Sequence, residues 1–586
     1  MKRLREEEGS AFLMVIFMIL LFMMLGMAVL SASIGGAHRT EKSEDNVQSL
    51  HLAEKALNEA AAHIAAEYNG KEMAIRPAEL MAELQNFVKE FNNRSVGTGL
   101  EGASGYIESI VYTGNDLQAG QQKLDYYLKV TAKAEVNGSV RRLSQNIVLD
   151  TFPDFLRYGL GSEEGDVILN GSPYLAGNLY VGEELKLSSM AGYRYLGQEL
   201  AVQSQFPYLA QQEGLYGEVY VSAVDRIKHR EDRVSSYVPL SDPAHITRYL
   251  HSEPSRIKLK DNKKFVSINV EQSFLDKAAL TVGDNPNVRS QLAARFKRGV
   301  KKQDDMLSVL NERFKEDVSG DGLPDGEGWL TPPVMPELAE LTLEDEERYA
   351  AEVRDFAAKL GGLTKPVIVE GPLTLGDDYK RIYYTDKSAE NWLIVNGDLI
   401  VENYEDQFVT IRGNILVTGD IIIKGKLAVD ATVIGLGRTE VVDAQIRGIG
   451  GKELMVLISK GPVDVYRFDA FQPITGDYSK EHDYTLDAFF YTDAEAELYG
   501  VGSTFWMNGG FFARGDITIN AVLGSTKAVE GETSLQFDAR SQLAIPGEQS
   551  RFVIDYDQNV FTSQSTGLPR VKKVKVSIGR KWLESQ

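Results

Sequence analysis

Twenty consecutive positions without a charge, Ala11 to Leu30 (AFLMVIFMILLFMMLGMAVL), set the first limit on what this chain can become. As an α-helix rising about 1.5 Å per residue, the run spans about 30 Å, the hydrocarbon thickness of a bilayer. The h-region of an ordinary signal peptide is shorter, about 7–15 residues, and ends at a small-residue cleavage site. Ser31-Ala32-Ser33 offers such a site, so a secreted product is the alternative to an anchored one. The flank MKRLREEEG carries Lys2, Arg3 and Arg5. Basic residues on that side predict a cytoplasmic N-terminus and an extracellular body. Glu6, Glu7 and Glu8, next to the membrane, fit poorly with a simple anchor.

Beyond the apolar run, Val47, Leu50, Ala53, Leu57, Ala60 and Ile64 recur at spacings of three and four. That is the period of an amphipathic helix. Alanines fill its other positions and Asn69-Gly70 is the expected stop. One helix over about residues 11–68 follows, apolar all round in its first half and striped in its second. It reads either as an anchor with a spacer or as the packing element of a filament subunit.

The strings EEEGSAFLMVIFMILLFMMLGMAVLSASI and EKSEDNVQSLHLAEKALNEA, within residues 6–60, resemble the N-terminus of type IV pilin-like proteins of the PilX type. The resemblance implies a leader over residues 1–9 and a cut between Gly9 and Ser10 by a prepilin peptidase. It also implies other pilin-like subunits as partners of the helix, with Leu52-Ala53-Glu54 at its exit from the membrane. One departure stands out. Major pilins carry a glutamate at the fifth position after the cut, and here that position is Met14. A subunit without that carboxylate fits a minor place, such as the tip of a filament, better than a repeating one.

The rest of the 586 residues reads as β-rich, and the whole as α+β, mostly β. Tyr106–Tyr112, Tyr126–Val136 and Ser139–Leu149 alternate as strands. A short pattern then recurs: Gly, then Asp, Asn or Lys, then apolar-x-apolar. Copies start at Gly165, Gly177, Gly397, Gly413, Gly419, Gly425 and Gly515. Those at 413, 419 and 425 are too close for hairpins and suit the corners of a β-solenoid, a β-sandwich with glycine-rich turns being the alternative. The expected organisation is a leader (1–9), a transmembrane helix (10–35) and a pilin-like helix-plus-strand domain (36–150). A first solenoid-like segment (151–230), a helical insertion or separate lobe (231–365), the main solenoid-like domain (366–545) and C-terminal strands (546–586) complete it. Within the insertion, Val288–Lys301 and Gln303–Val318 read as helices.

The segment DVSGDGLPDGEG, residues 317–328, is the strongest chemical motif. Ca²⁺ takes six to eight oxygens around a tight turn. Asp317, Ser319, Asp321 and Asp325 fall at loop positions 1, 3, 5 and 9, Gly322 sits at the turn, and the Leu323 carbonyl supplies position 7. Position 12 is Gly328, with Glu327 one place early as a substitute. An ordinary Asp/Gly turn is the alternative.

Other chemistry is scarce. The absence of cysteine excludes disulfide scaffolds and thiolate metal sites. No HExxH, Walker-type or G-x-S-x-G motif occurs. A net charge of −21 disfavours nucleic acid as a partner. Arg514-Gly515-Asp516 opens a solenoid-like strand, and the aromatic run from Tyr484 to Phe512 reads as core ladders or as a sugar-stacking surface. The leading expectation is a non-enzymatic, membrane-anchored minor pilin-like subunit displaying a β-rich body to a surface glycan or protein, with Ca²⁺ as a cofactor. The alternatives are a surface-anchored β-helix polysaccharide-active enzyme and a non-catalytic scaffold stacking end to end.

Overall fold

The computed structural model describes residues 4–71, 77–97, 102–112, 125–150, 153–211, 217–232, 234–260, 265, 268–282, 286–296, 329–335, 342–467, 485–537, 550–557, 560, 564, 567–569 and 574–584. They divide into two compact units, with the chain's last strand belonging to the first unit.

In the first unit, helix α1 (Leu4–Tyr68) runs unbroken for 65 residues. It passes straight through Gly35-Gly36 and stops where expected, at Asn69 and at Gly70 (φ 82°). Its second half packs on an antiparallel sheet ordered Ser95–Val96, Ala103–Tyr112, Asp125–Val136, Ser139–Asp150 and Lys575–Leu583. Helix α2 (Pro77–Phe91) joins the same core through Leu84 and Phe91. The buried stripe of α1 is Leu52, Ala53, Ala56, Leu57, Ala60, Ala61, Ile64 and Tyr68. This corrects the expected stripe at its start, since Val47 and Leu50 are exposed. They lie to the side of the face that meets the sheet, and the spacing pattern alone could not say which face the sheet would take.

In the second unit short parallel strands stack coil upon coil into three walls, which excludes an antiparallel sandwich. One wall runs through Ile368, Ile394, Leu416, Ile434, Ile458, Tyr491 and Phe512. The second lines up Leu375, Val401, Ile423, Val441, Val465, Leu498 and Ile519. The third runs through Val409, Leu427, Ile446, Leu486, Met507 and Ile554. Each fully buried aliphatic rung contributes about 1.5–3 kcal/mol.

The glycine-led repeats are the corners. Gly413, Gly419 and Gly425 separate the three walls within one coil. Between the first and second walls, Gly397, Gly419, Gly437 and Gly461 form a column in which each backbone lies against the previous one. A Cβ on Gly437 would stand 2.5 Å from the Gly419 oxygen. The aspartate that follows caps the corner. Asp398 Oδ1 accepts from the Asp420 N–H at 2.8 Å, and Asp420 Oδ1 from the Arg438 N–H at 2.9 Å. Asp516 does the same for Asp166, and Asp166 for Glu184.

That last pairing exposes a feature of topology absent from the sequence reading. The coils of residues 160–188 stack on the chain's last coil, Phe512 beside Gly161 and Ile519 beside Leu169. The stack continues through Leu187 and His229. Strand Ile227–Arg230, at the end of the expected first segment, and strand Ile257–Leu259, which fell in the expected insertion, complete the same stack. The expected separate lobe is also tied to the body, since helix Val270–Leu280 lies on the first wall. Lys277 sits over the Trp392 ring, and Phe265 packs on Tyr180 and Phe512. First-wall strands such as Met455–Ser459 are therefore buried on both sides and read as continuous apolar runs. The expected set of C-terminal strands is divided: Phe552–Asp555 belongs to the coils and Lys575–Leu583 to the first unit. Of the expected helices, Pro286–Phe296 is present, while 297–328 lie outside the described residues.

Both ends of the stack are covered. Phe356 and Leu360 of helix Leu343–Leu360 pack into the core at the first coil. At the other end, Ile246 and Tyr249 close the core, and Val238–Pro239 pairs antiparallel to the last second-wall strand, Ile227–Arg230. His229 ends the aliphatic second-wall column, stacked on Tyr249 with ring centroids 3.7 Å apart. Burial holds its imidazole below the usual range. The unfolded chain then binds the extra proton first as pH falls, so stability is full above about pH 6.5 and declines below it. His229→Leu should remove part of the acid-induced fall in melting temperature between about pH 7.5 and pH 5, read by thermal denaturation of both proteins.

Candidate membrane and assembly site

The first half of α1 is a bare apolar rod. Every residue from Ala11 to Glu44 is exposed, among them Phe12, Ile16, Leu21, Met24, Val29 and Ile34. No charge occurs between Gly9 and His38. The helix is long and apolar enough to cross a membrane. Its backbone groups bond within the helix, which is what a segment in hydrocarbon requires. Gly26, Gly35 and Gly36 cost helix propensity, but no side chain fills the space beside them. Gly9 and Ser10, the expected processing residues, fall within α1. Met14 leaves the fifth position after Ser10 apolar and 74% exposed.

The second half of α1 is gripped from several sides. Glu54 Oε1 accepts from Lys581 Nζ at 2.7 Å, and that partner holds the Glu54 carboxyl below the usual carboxylate range. Lys55 Nζ donates to the Gly97 carbonyl at 2.7 Å, and Asn137 Nδ2 to Asp45 Oδ1 at 3.0 Å. At the helix end, Gly70 N–H donates to the Val574 carbonyl and Val574 N–H to that of Lys71. The Leu52-Ala53-Glu54 stretch has a structural meaning here. Leu52 seats so close to Gly105 that a Cβ there would come within 2.8 Å of Leu52 Cγ. The C-terminal strand that supplies Lys581 carried no sequence signal of this role.

On the body, the third wall bears a polar groove of about 650 Å³ lined by Arg447, Lys452, Asp487, Asn508, Asp555 and Tyr556. Asp487 Oδ2 accepts from the Gly448 N–H and its Oδ1 from Asn508 Nδ2, each at 2.8 Å. Trp506 Nε1 donates to Asn508 Oδ1 at 2.9 Å. Sequence reasoning missed this groove, because its residues come from separate coils brought together only by register. Such a surface offers hydrogen bonds to a polar ligand.

The remaining expected features resolve differently. Asp317, Ser319, Asp321, Leu323, Asp325 and Glu327 lie outside the described residues. Among the described residues, no group of three or more His, Asp or Glu stands ready for a metal. Phe489, Phe490, Tyr491, Phe505, Phe511 and Phe512 are buried, so these aromatics form core ladders and not a sugar platform. In Arg514-Gly515-Asp516, the arginine pairs with Glu164 and the aspartate caps the next coil.

No family model matches the chain, and no curated protein matches it. Among solved structures, the chain is similar to the competence-associated pilin ComZ from Thermus thermophilus. The identity is 10%, the alignment covers 92% of this chain and 98% of that one, and the TM-score is 0.23.

Proposed function

We propose that the chain is a membrane-anchored, minor pilin-like subunit of a type IV pilus-like filament. In this reading α1 crosses the bilayer with its N-terminus cytoplasmic and bundles with helices of other pilin-like subunits. The stacked-coil unit faces outward and binds a surface glycan or protein. The observation that carries the reading is the unbroken α1: a charge-free, fully exposed half continues without a kink into a half packed on an antiparallel sheet. Met14 supports a minor place, since the apolar run Ala11 to Leu30 carries no carboxylate to pair with a neighbour's amine.

Removal of residues 1–9 by a prepilin peptidase belongs to this reading. Mass spectrometry of the membrane-extracted protein from a host with that peptidase should find Ser10 as the first residue. An intact 1–9 segment, or a cut near Ser31-Ala32-Ser33, would overturn it.

Calcium at residues 317–328 is part of the proposal. Titration of the full chain with Ca²⁺ should give a dissociation constant of about 10⁻⁴–10⁻³ M, because the bidentate position 12 is Gly328. Asp321→Ala should abolish it. We read the body as non-catalytic. In the polar groove, both oxygens of Asp487 accept hydrogen bonds from Gly448 and Asn508. The cover over the core at both ends of the stack speaks against end-to-end stacking of one body on another.

A further inference from the structure

Where the third wall meets the first, an amine and a carboxyl are buried against each other. Lys387 Nζ lies 2.5 Å from Asp430 Oδ1, with side chains only 9% and 11% exposed. Lys387 sits in the loop after Arg381–Tyr383, and Asp430 within the long strand Ile421–Gly435. The loop is clamped in place. Arg412 donates to the carbonyls of Tyr384 and Thr385, and Asn414 Nδ2 to that of Ser388 at 3.0 Å. Gln564 bridges the pair, its Oε1 2.6 Å from Lys387 Nζ and its Nε2 3.0 Å from Asp430 Oδ1. Arg412 Nε stands 3.4 Å from Asp430 Oδ2.

We propose that Lys387 and Asp430 condense into an intramolecular amide, an isopeptide bond, in the folded chain. The placement has what the reaction needs. Nζ can be no farther from the Asp430 carboxyl carbon than its distance to Oδ1 plus one C–O bond. Two reactants held in a near-attack geometry react as if at effective molarities of about 10⁵–10⁸ M. Burial of an ion pair is costly, and condensation replaces two charges with one neutral amide.

The atoms balance without an oxidant, reductant or activating group. The Lys387 ammonium and the Asp430 carboxylate together become an amide and one water. The ammonium gives up a proton, and the nitrogen lone pair forms a bond to Cγ. Each carboxyl oxygen already faces a donor, Oδ1 the Gln564 Nε2 and Oδ2 the Arg412 Nε, so whichever oxygen becomes the tetrahedral oxyanion keeps one of them. The departing oxygen takes two protons from nitrogen and leaves as water. Half-buried Glu453 precedes Leu454, whose carbonyl accepts from the same Gln564 Nε2 at 2.7 Å, and it is the group we assign to shuttle those protons. Burial, reinforced by Asp430, holds its carboxyl above the usual range, and burial lowers the Lys387 amine. The bond would tie the loop over the first coils to a strand two coils further on and close a ring from residue 387 to residue 430.

Mass spectrometry of the full chain, extracted in detergent, decides the matter. The expected intact mass is lighter than the sequence by one water, once the N-terminus has been identified. Trypsin should leave Lys387 uncut and join the peptide 382–412 to the peptide 427–438. Lys387→Arg should restore the full mass. If that variant fails to fold, Glu453→Gln, which leaves the pair in place, should slow appearance of the lighter form after refolding by about 100-fold or more. A wild-type chain at full mass, cleaved at Lys387, would overturn the proposal. A Glu453→Gln chain that bonds at the wild-type rate would overturn the role given to Glu453.

Discussion

Gly419→Val should unfold the stacked-coil unit at denaturant concentrations that the wild-type protein withstands. The added Cβ would stand 2.1 Å from Asp398 Oδ1 and 2.7 Å from the Gly397 carbonyl carbon and oxygen. The second and third of these are backbone atoms of the neighbouring coil and cannot swing away. Relief requires the two coils to separate, which breaks the Gly419 N–H bond to Gly397 and the Asp420 N–H bond to Asp398. A loss of more than about 4 kcal/mol is expected, from overpacking together with unsatisfied buried amides. Gly362→Ala is the control. Its Cβ would meet nothing nearer than 3.8 Å, so a change within about 0.5 kcal/mol should follow. Equal denaturation midpoints for Gly419→Val and wild type would contradict the corner column.

The second large effect belongs to the first unit. Leu57→Asp should strip the sheet from α1 and leave residues 36–150 open to protease, while the coil unit stays resistant. Leu57 is fully buried in the core shared with Leu128, Ile147 and Leu149. Removing it creates a cavity worth about 2–5 kcal/mol, and the unpaired carboxylate adds several more. Val47→Asp, ten residues earlier on the same helix, should leave folding unchanged because Val47 is half exposed. The pair also separates folding from assembly: on the proposed reading, a defect of Val47→Asp would show only in filament incorporation. Limited proteolysis followed by mass mapping reads both variants.

The glycine pattern shows how far residue chemistry alone could lead. Gly-Asp at 397, 419 and 515 predicts corners because a turn with a touching neighbour excludes a Cβ, and the aspartate supplies an acceptor for the next coil's amide. Both reasons are local and repeat with each coil. The first-wall runs such as Trp392–Asn396 were harder to place. Burial on both faces erases the alternation by which a strand declares its orientation, and the covering helix lies more than a hundred residues earlier. Nothing near Lys575–Leu583 says that it pairs with Ser139–Asp150. Leu583 and Leu143 are register partners although 439 residues of chain lie between them.

By itself, the order of residues determined the apolar rod, its continuation to Asn69-Gly70, the absence of thiol chemistry and the presence of glycine corners. Each follows from hydropathy, helical period or side-chain volume within a few neighbouring residues. Tertiary structure alone decided which face of α1 meets the sheet, that the coils at 160–188 follow the last coil, and that the final strand returns to the first unit. It also placed Lys387 against Asp430 and aligned Asp487, Asn508 and Asp555 along one groove. These are contacts between segments far apart in the chain. Their free energy comes from surface buried jointly, a quantity that no single segment carries.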